Sequence, residues 1–246
     1  MKKITLLLQG AVALLLLGLC SCQKFQNNPS SRYEIATITN TTGPGDNATF
    51  IYDGYGNPTD VKFADVTELT PHYEFLYDKK HRMTNCIGAL NNGLYTFWHR
   101  YHYNAKGLID QDSLYRDGAL SEAPQPIGHD NESIFYTYDG CERIIEVKTY
   151  DNAGKQVNDT TWSYDVSGNR VRPGIVYDHK SNIRQTNKIW MFLDQDYSVN
   201  NPLPAVSYNQ AGLPLQIDQP QTEFPGAAYF FLHTTLNQST ITYNKR

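Results

Sequence analysis

Charged residues are scarce in this chain of 246 residues, at 19%, while aromatic residues reach 13%. Low charge combined with many aromatic rings excludes an intrinsically disordered protein. A basic surplus is missing too, because the formal net charge is −4, so the footprint of a nucleic-acid binder is absent. Only four cysteines are present, too few for a disulfide framework that replaces a hydrophobic core.

Sequence signatures of catalysis are missing as well. The chain has no Gly-x-Ser-x-Gly motif, no Gly-rich phosphate loop and no Cys-x-x-Cys pair after residue 22. We therefore expect neither an enzyme nor a cofactor or metal site. Nor does any window keep a helical period for more than about three turns, so a helical fold is not expected.

The N-terminus carries an export signal. Lys2 and Lys3 precede an apolar stretch from residue 4 to residue 19, which is short for a membrane span of about 20 residues. Residues 19–22, with the sequence LCSC, resemble the lipobox of bacterial lipoproteins and make Cys22 the lipidated residue, since its rival Cys20 follows a bulky leucine. We predict a signal peptide at 1–21, a lipidated cysteine with a flexible tether at 22–32, and one all-β domain at 33–246.

A short motif, Tyr followed by Asp or Asn, repeats along the body. Eight copies are followed by at least four residues: in five of them a glycine stands four residues after the tyrosine, and the other three carry His81, Glu142 and Ser181 there. These eight copies are Tyr52-Asp53, Tyr77-Asp78, Tyr103-Asn104, Tyr138-Asp139, Tyr150-Asp151, Tyr164-Asp165, Tyr177-Asp178 and Tyr208-Asn209.

This motif is typical of a β-hairpin turn. Asp or Asn opens a type I turn through hydrogen bonds to backbone N–H groups, and glycine adopts a positive φ at the turn's fourth position. The tyrosine ends a strand and can lay its ring on the sheet while its hydroxyl stays in water. Flanks rich in β-branched and aromatic residues predict an all-β fold: an antiparallel meander of such hairpins, forming an open rolled sheet or a barrel-like wrap of roughly 10 to 16 strands.

These units resemble the YD repeats of Rhs-type proteins. With the lipobox and the run from Asp196 to Pro202 leading into Tyr208–Pro214, the chain also resembles a Bacteroidota lipoprotein family of unknown function with a porin-like or sheet-rich fold. The resemblance covers residues 33–246 and implies an architecture. That family supplies no catalytic residues to transfer to this chain.

The run from Phe97 to Tyr103 is the most distinctive candidate site. In a strand, Trp98, Arg100 and His102 share one face, while residues 99, 101 and 103 share the other. An aromatic and basic strip of this kind can stack on a sugar ring, but it is also what a half-buried amphipathic strand looks like. The candidate stacking residues are Trp98, Tyr101, Tyr103, Trp162 and Trp190.

Two further patterns leave alternatives open. Asp110 with Asp112, and Asp194 with Asp196, would each place two carboxylates on one strand face or in one loop, which is at most a fragment of a calcium site. Cys86 and Cys141 would lie in an oxidising compartment, where they either form a disulfide or stay as two unpaired thiols.

Together these features predict a lipid-anchored protein of the cell envelope that binds a partner or scaffolds an assembly without catalysis. The alternative is a glycan-binding accessory lipoprotein. An aromatic cluster that lines a groove would favour the glycan, whereas a flat aromatic patch would favour a protein partner. We expect the outer membrane, with the periplasmic face favoured over the cell surface, and partners limited to the membrane, an envelope protein or a glycan.

Overall fold

Fifteen short strands account for most of the regular structure. The computed structural model describes residues 28–40, 47–68, 70–122, 131–202, 204–218, 229–230, 234–235 and 238–246. The strands are β1 (Tyr33–Asn40), β2 (Ala48–Tyr52), β3 (Pro58–Phe63), β4 (His72–Tyr77), β5 (Met83–Ala89), β6 (Leu94–Tyr103), β7 (Ile109–Ala119), β8 (Glu132–Tyr138), β9 (Ile144–Tyr150), β10 (Gln156–Thr161), β11 (Ser207–Tyr208), β12 (Pro214–Asp218), β13 (Tyr229–Phe230), β14 (Thr234–Thr235) and β15 (Gln238–Lys245).

Thirteen of these strands form one open antiparallel sheet, which confirms the predicted fold class. From β10 back to β1 each strand pairs with its neighbour in the chain, as a meander does. Beyond β1 the order continues with β15, β12 and β11, so the C-terminus adds strands to the N-terminal side of the meander. The joining pair sets Ile38 opposite Ile241. The remaining two strands, β13 and β14, pair with each other.

The repeated motif forms the predicted turns. In the β6–β7 turn, Asn104 Oδ1 accepts hydrogen bonds from the backbone N–H groups of Lys106 and Leu108, at 2.9 and 3.1 Å. Seven of the eight copies show both bonds, two and four residues after the Asp or Asn. The register of each of the five β-hairpins at this end of the sheet shifts by one residue at the repeat tyrosine, because the turn inserts a bulge.

Two turns without glycine keep the same geometry. His81 and Glu142 stand at the glycine position with φ of 59° and 61°. Ser181 does not adopt a positive φ, and the N–H of Asp178 donates to Asn201 O rather than closing its own turn. The Asp178 turn therefore opens and pairs with a distant segment.

Seven of the turns lie side by side at one end of the sheet, and we call them the turn ring: 53–57, 78–82, 104–108, 139–143, 165–169, 178–182 and 209–213. Turn 165–169 follows turn 139–143, where the Arg143 guanidinium lies 4.2 Å from the Tyr164 ring centroid. Turn 178–182 joins turn 209–213 through Ser181 N–H to Gly212 O, at 3.1 Å. Arg246 closes the ring by donating to Gly56 O at 2.9 Å. The eighth turn, 151–155, joins β9 to β10 at the opposite end.

Tyrosine hydroxyls connect successive turns, and this corrects the expectation that they stay in water. The hydroxyl of Tyr103 donates to Met83 O at 2.8 Å, and that of Tyr138 donates to Ile109 O at 2.6 Å. In each case the acceptor is the fifth residue after the Asp or Asn of the preceding ring turn. The same relation holds for Tyr77 to Pro58, Tyr177 to Arg170 and Tyr243 to Pro214. The backbone carbonyls just after these ring turns therefore accept hydrogen bonds from tyrosine hydroxyls.

A short helical segment fills the inside of the rolled sheet. It consists of a 3-10 helix (Ile183–Thr186) and α1 (Lys188–Leu193), and we call it the plug. Trp190 is 0% exposed and packs edge-on against Phe50 and Phe75, with centroids 5.5 and 5.9 Å away. Phe192 meets Tyr101 further round the sheet. The inner face and the plug thus form the hydrophobic core.

Buried charges hold the loop after the plug. Arg184 Nε lies 2.5 Å from Asp194 Oδ2, and Arg172 lies 2.9 Å from Asp196 Oδ2. Burial alone would raise the pKa of Asp196, but Arg184 and Arg172 outweigh it, so that pKa is lowered. Asp194 and Asp196 are therefore ion-pair partners of arginine rather than a fragment of a calcium site.

Part of the predicted tether belongs to the body. Pro29–Arg32 form a 3-10 helix with Ser30 buried, and Asn28 Nδ2 donates to Gln185 Oε1 of the plug at 3.2 Å. Cys22 and the signal peptide lie outside the described residues. Within the described ranges, no helix combines the length and the apolar character that crossing a bilayer would require.

Candidate functional site

The outer face of the sheet carries an aromatic and basic strip. As the alternation predicts, Trp98 and Arg100 lie on one face of β6, and Tyr101 lies on the other against the plug. The Arg100 guanidinium lies 5.9 Å from the Trp98 ring centroid and 5.5 Å from that of Tyr115 on β7. Trp98 Nε1 donates to Asn85 Oδ1 at 2.8 Å, which fixes the indole on the sheet.

A shallow groove of about 710 Å³ lies beside this strip, across β7, β8 and β9. The sheet register sets Ser113 opposite Ser133, and Ser133 opposite Tyr150. Two small side chains therefore form the floor. Tyr115 borders one side, and Phe135 with Tyr150 borders the other, their ring centroids 5.6 Å apart at 84°. We call this feature the outer groove.

Polar groups surround the aromatic walls of the outer groove. Lys148 Nζ lies 2.8 Å from Glu146 Oε1, and this hydrogen bond raises the pKa of Lys148 and lowers that of Glu146. Turn 151–155 closes one end, with Asp151 and Asn152 among the lining residues. Glu132 is a further lining residue, and its carboxylate lies 3.5 Å from Arg116 Nη2. The groove thus combines apolar ring faces with hydrogen-bond donors and hydrogen-bond acceptors.

Most of the predicted stacking residues are not available to a ligand, and Trp190 is the clearest correction. It is a core residue, since the plug brings it against the inner face. Tyr101 and Tyr103 also face inward. The Arg170 guanidinium covers the ring of Trp162 at 4.0 Å. Among the five candidates, Trp98 alone lies on the outer face beside the groove.

The inner face holds a pair that resembles an acid–base dyad. His99 Nδ1 lies 2.6 Å from Asp112 Oδ2, and the Tyr136 hydroxyl donates to the same oxygen at 3.3 Å. Asp112 is 1% exposed, and the pair sits beneath the rings of Tyr101 and Phe192, away from the outer groove. Its place within the packed inner face indicates a structural role.

The two carboxylates of the β6–β7 hairpin do not share a face, contrary to expectation. Asp110 lies at the bulge and pairs with the exposed His102, 2.9 Å from its Nδ1. Because the bulge inserts one residue, Asp110 departs from the alternation that turns Asp112 inward. In the described parts of the chain, no three His, Cys, Asp or Glu side chains come together as a metal site.

The two cysteines of the body are not joined. Cys86 is a buried free thiol on the inner face, and burial raises its pKa well above the ordinary range. Cys141 lies in the β8–β9 turn, at the turn ring, and is disulfide-bonded to a cysteine other than Cys86, so the alternative of two unpaired thiols is also wrong. The disulfide between them, which the sequence left open, is therefore excluded.

Sequence reasoning missed Tyr115, Phe135 and Tyr150 as a cluster. The alternation in β8 does signal that Phe135 points away from Ile134 and Tyr136, and it is 41% exposed. The pairing of β8 with both β7 and β9 is what brings the three rings together, and periodicity within one strand does not show it.

Comparisons with known proteins find similarity among solved structures alone, and it is distant. No protein-family model matches the chain, and no curated protein matches it. Among solved structures, the crystal structure of TcdB2-TccC3-TEV aligns with 68% of this chain at 12% identity and a TM-score of 0.25. The chain spans about a tenth of that structure's length, since 10% of it is covered. So low a score carries no argument about the site.

Proposed function

We propose that this chain is a lipid-anchored, non-catalytic binding module of the bacterial cell envelope, with a glycan as its ligand. One observation carries the proposal: the outer groove has aromatic rings on both sides and a floor of two serines. The anchor is Cys22, and the location is the outer membrane, with its periplasmic face favoured. The lipobox and the repeated Tyr-Asp or Tyr-Asn turn motif support membership of a YD-repeat-like lipoprotein family of Bacteroidota.

The chemistry of the groove suits a sugar. The apolar C–H face of a sugar ring packs on an aromatic ring, and Tyr and Trp supply such a face with little loss of side-chain freedom. Hydroxyls of the same ring can bond to Ser113, Ser133 and Lys148, which line the groove. A protein partner is the other candidate, favoured by the flat strip of Trp98 and Arg100 next to the groove.

A glycan array probed with the full chain in detergent tests this function. Tyr150→Ala and Phe135→Ala should each weaken the binding of a hit by about tenfold, or about 1.4 kcal/mol, because each removes one stacking wall. Tyr55→Ala, which removes an exposed tyrosine of the turn ring, is the matched control and should leave binding unchanged.

The outcomes separate the two candidate ligands. Binding that survives both groove variants would place the sugar elsewhere and contradict the proposed site. An array without hits would reject the glycan for the sugars tested, and cross-linking through Trp98 and Tyr115 would then seek a protein partner.

A further inference from the structure

The chain enters the body at the turn ring. Arg246 N–H donates to Arg32 O at 2.9 Å, and the same arginine bonds to Gly56 of the first ring turn. Asn187 of the plug also donates to Gly56 O, at 3.0 Å, and Gln185 of the same plug accepts a hydrogen bond from Asn28. From Cys22 to Asn28 the chain advances by six residues and spans at most about 20 Å when extended. A lipid on Cys22 would therefore hold the turn ring close to the bilayer.

Exposed lysines concentrate at the turn ring. Lys79, Lys80, Lys106 and Lys180 lie at turn tips, and Lys245 ends the adjoining β15. Aspartates that open the turns point back into them: Asp78, for example, accepts from the backbone N–H of Arg82, which helps lower its pKa to about 2. Arg82 and Arg143 in turn pair with Asp78 and Asp139. The exposed carboxylates of the ring are Glu142 and Asp165.

The opposite end of the sheet lacks this surplus of exposed bases among its described residues. The carboxylates exposed there include Asp65, Glu68, Asp117 and Glu122. Among the described residues of that end, the exposed bases are Lys62, Arg116 and Lys155. Since the whole chain carries a net charge of −4, the ring is the end with the weakest repulsion for an anionic surface.

Two apolar side chains project from the same ring. Val166 is 108% exposed at the tip of turn 165–169, and Tyr55 is 72% exposed at the tip of turn 53–57. Tyrosine is enriched where a protein meets lipid headgroups, because its ring is apolar and its hydroxyl is polar. Lysines around exposed apolar tips are the composition of a surface that lies in the membrane interface.

We propose that the turn ring is a membrane-docking surface, which lies against the anionic headgroups of the bilayer that holds the protein. The anchoring part rests on the lipid proposed for Cys22, whereas the lysines and apolar tips argue for docking independently of it. This orientation directs turn 151–155, and with it the outer groove, away from the membrane.

Photo-cross-linking of the full chain in vesicles tests the docking. Benzoylphenylalanine replaces either Val166 in the ring or Ala153 in the eighth turn, and the vesicles contain equal parts of phosphatidylglycerol and phosphatidylcholine. We expect lipid adducts, detected by mass spectrometry, at position 166 and a yield at position 153 lower by about tenfold. Vesicles of phosphatidylcholine alone should give less adduct at position 166, because the lysines lose their counter-charge.

Charge variants in the Val166-substituted chain separate electrostatic docking from mere proximity. The double variant Lys80→Gln, Lys106→Gln should lower the adduct yield, because each lysine near an anionic surface favours the docked orientation by about fivefold. The matched double variant Lys62→Gln, Lys155→Gln removes the same charge at the opposite end and should not lower it.

Equal yields at positions 166 and 153 would overturn the docking proposal. So would a ring variant that behaves like its matched control. The mass of the N-terminal peptide reports separately whether Cys22 carries lipid, so a failed anchor is distinguishable from an anchored protein whose ring stays away from the bilayer.

Discussion

At the scale of single residues, the tyrosine of each repeat has two tasks. Its ring contributes to the core, and its hydroxyl satisfies a carbonyl of the preceding hairpin, as Tyr103 does for Met83. A buried carbonyl without a partner costs more than the hydrogen bond itself is worth. The repeat tyrosine is thus tied to the fold through its oxygen as well as its ring.

Tyr103→Phe tests this second task. The ring stays while the bond to Met83 O, at 2.8 Å, is lost, so the free energy of unfolding should fall by about 1–2 kcal/mol in urea titrations. Tyr150→Phe is the control, because its hydroxyl donates on the exposed outer face, and it should change stability by less than about 0.5 kcal/mol. Equal losses in both variants would argue that the hydrogen bonds from the repeat tyrosines to backbone carbonyls do not stabilise the fold.

A second residue with a structural charge is Asp196. Asp196→Asn leaves Arg184 and Arg172 without one partner in a buried setting and should lower the free energy of unfolding by about 3 kcal/mol. Asp65→Asn, at an exposed loop position, should change it by less than about 0.5 kcal/mol. Thermal unfolding followed by circular dichroism measures both. A small effect at Asp196 would show that the buried ion pairs do not hold the loop after the plug.

At the scale of elements, the turn is the unit that the sequence predicts well. Asp or Asn with glycine three residues later specifies a local geometry, and all five turns of this kind form both hydrogen bonds. The turns of His81 and Glu142 lack this glycine, and both residues nevertheless adopt the positive φ. Flanking strand pairs impose that conformation on residues that would otherwise avoid it. At Ser181 no such pair flanks the turn, and it opens.

Glycine substitutions at this turn position test the imposed strain. Glu142→Gly should stabilise the protein by about 0.5 kcal/mol, because relief at φ 61° exceeds the added freedom of the unfolded chain. Gly107→Ala should destabilise it by about 1 kcal/mol, since φ is 78° and no neighbour lies within 4 Å of an added Cβ.

Ala153→Gly is the control for both turn variants. It lies in the same kind of turn without a positive φ, so it should cost about 0.5–1 kcal/mol through chain entropy alone. Urea unfolding orders the three variants. A destabilising Glu142→Gly would show that the turn holds the glutamate without strain.

At the scale of the whole molecule, the parts that sequence could not predict are the contacts between distant segments. The hairpins from β2 to β9 follow from local periodicity. The pairing of Ile38 with Ile241 and the insertion of Trp190 join residues far apart in the chain, and nothing in their neighbourhoods specifies a partner. For the same reason the local sequence does not show that Trp190 is buried, or that the three rings of the outer groove meet across β7, β8 and β9.

The buried tyrosine hydroxyls make the free energy of unfolding sensitive to alkaline pH. Burial raises the pKa of Tyr103 and Tyr164 to about 12, against about 10 in an unfolded chain. The folded state therefore keeps protons that the unfolded state releases, so the stabilisation is complete below about pH 10 and is lost as the pH rises towards 12.

Urea titrations across this range should show a steady free energy of unfolding up to about pH 9 and a fall above pH 10. In the Tyr103→Phe variant the fall should be shallower, because one raised pKa is gone. A free energy that stays constant to pH 12 would mean that these hydroxyls titrate in the folded protein as they do in water, and that the ring of turns is open to solvent.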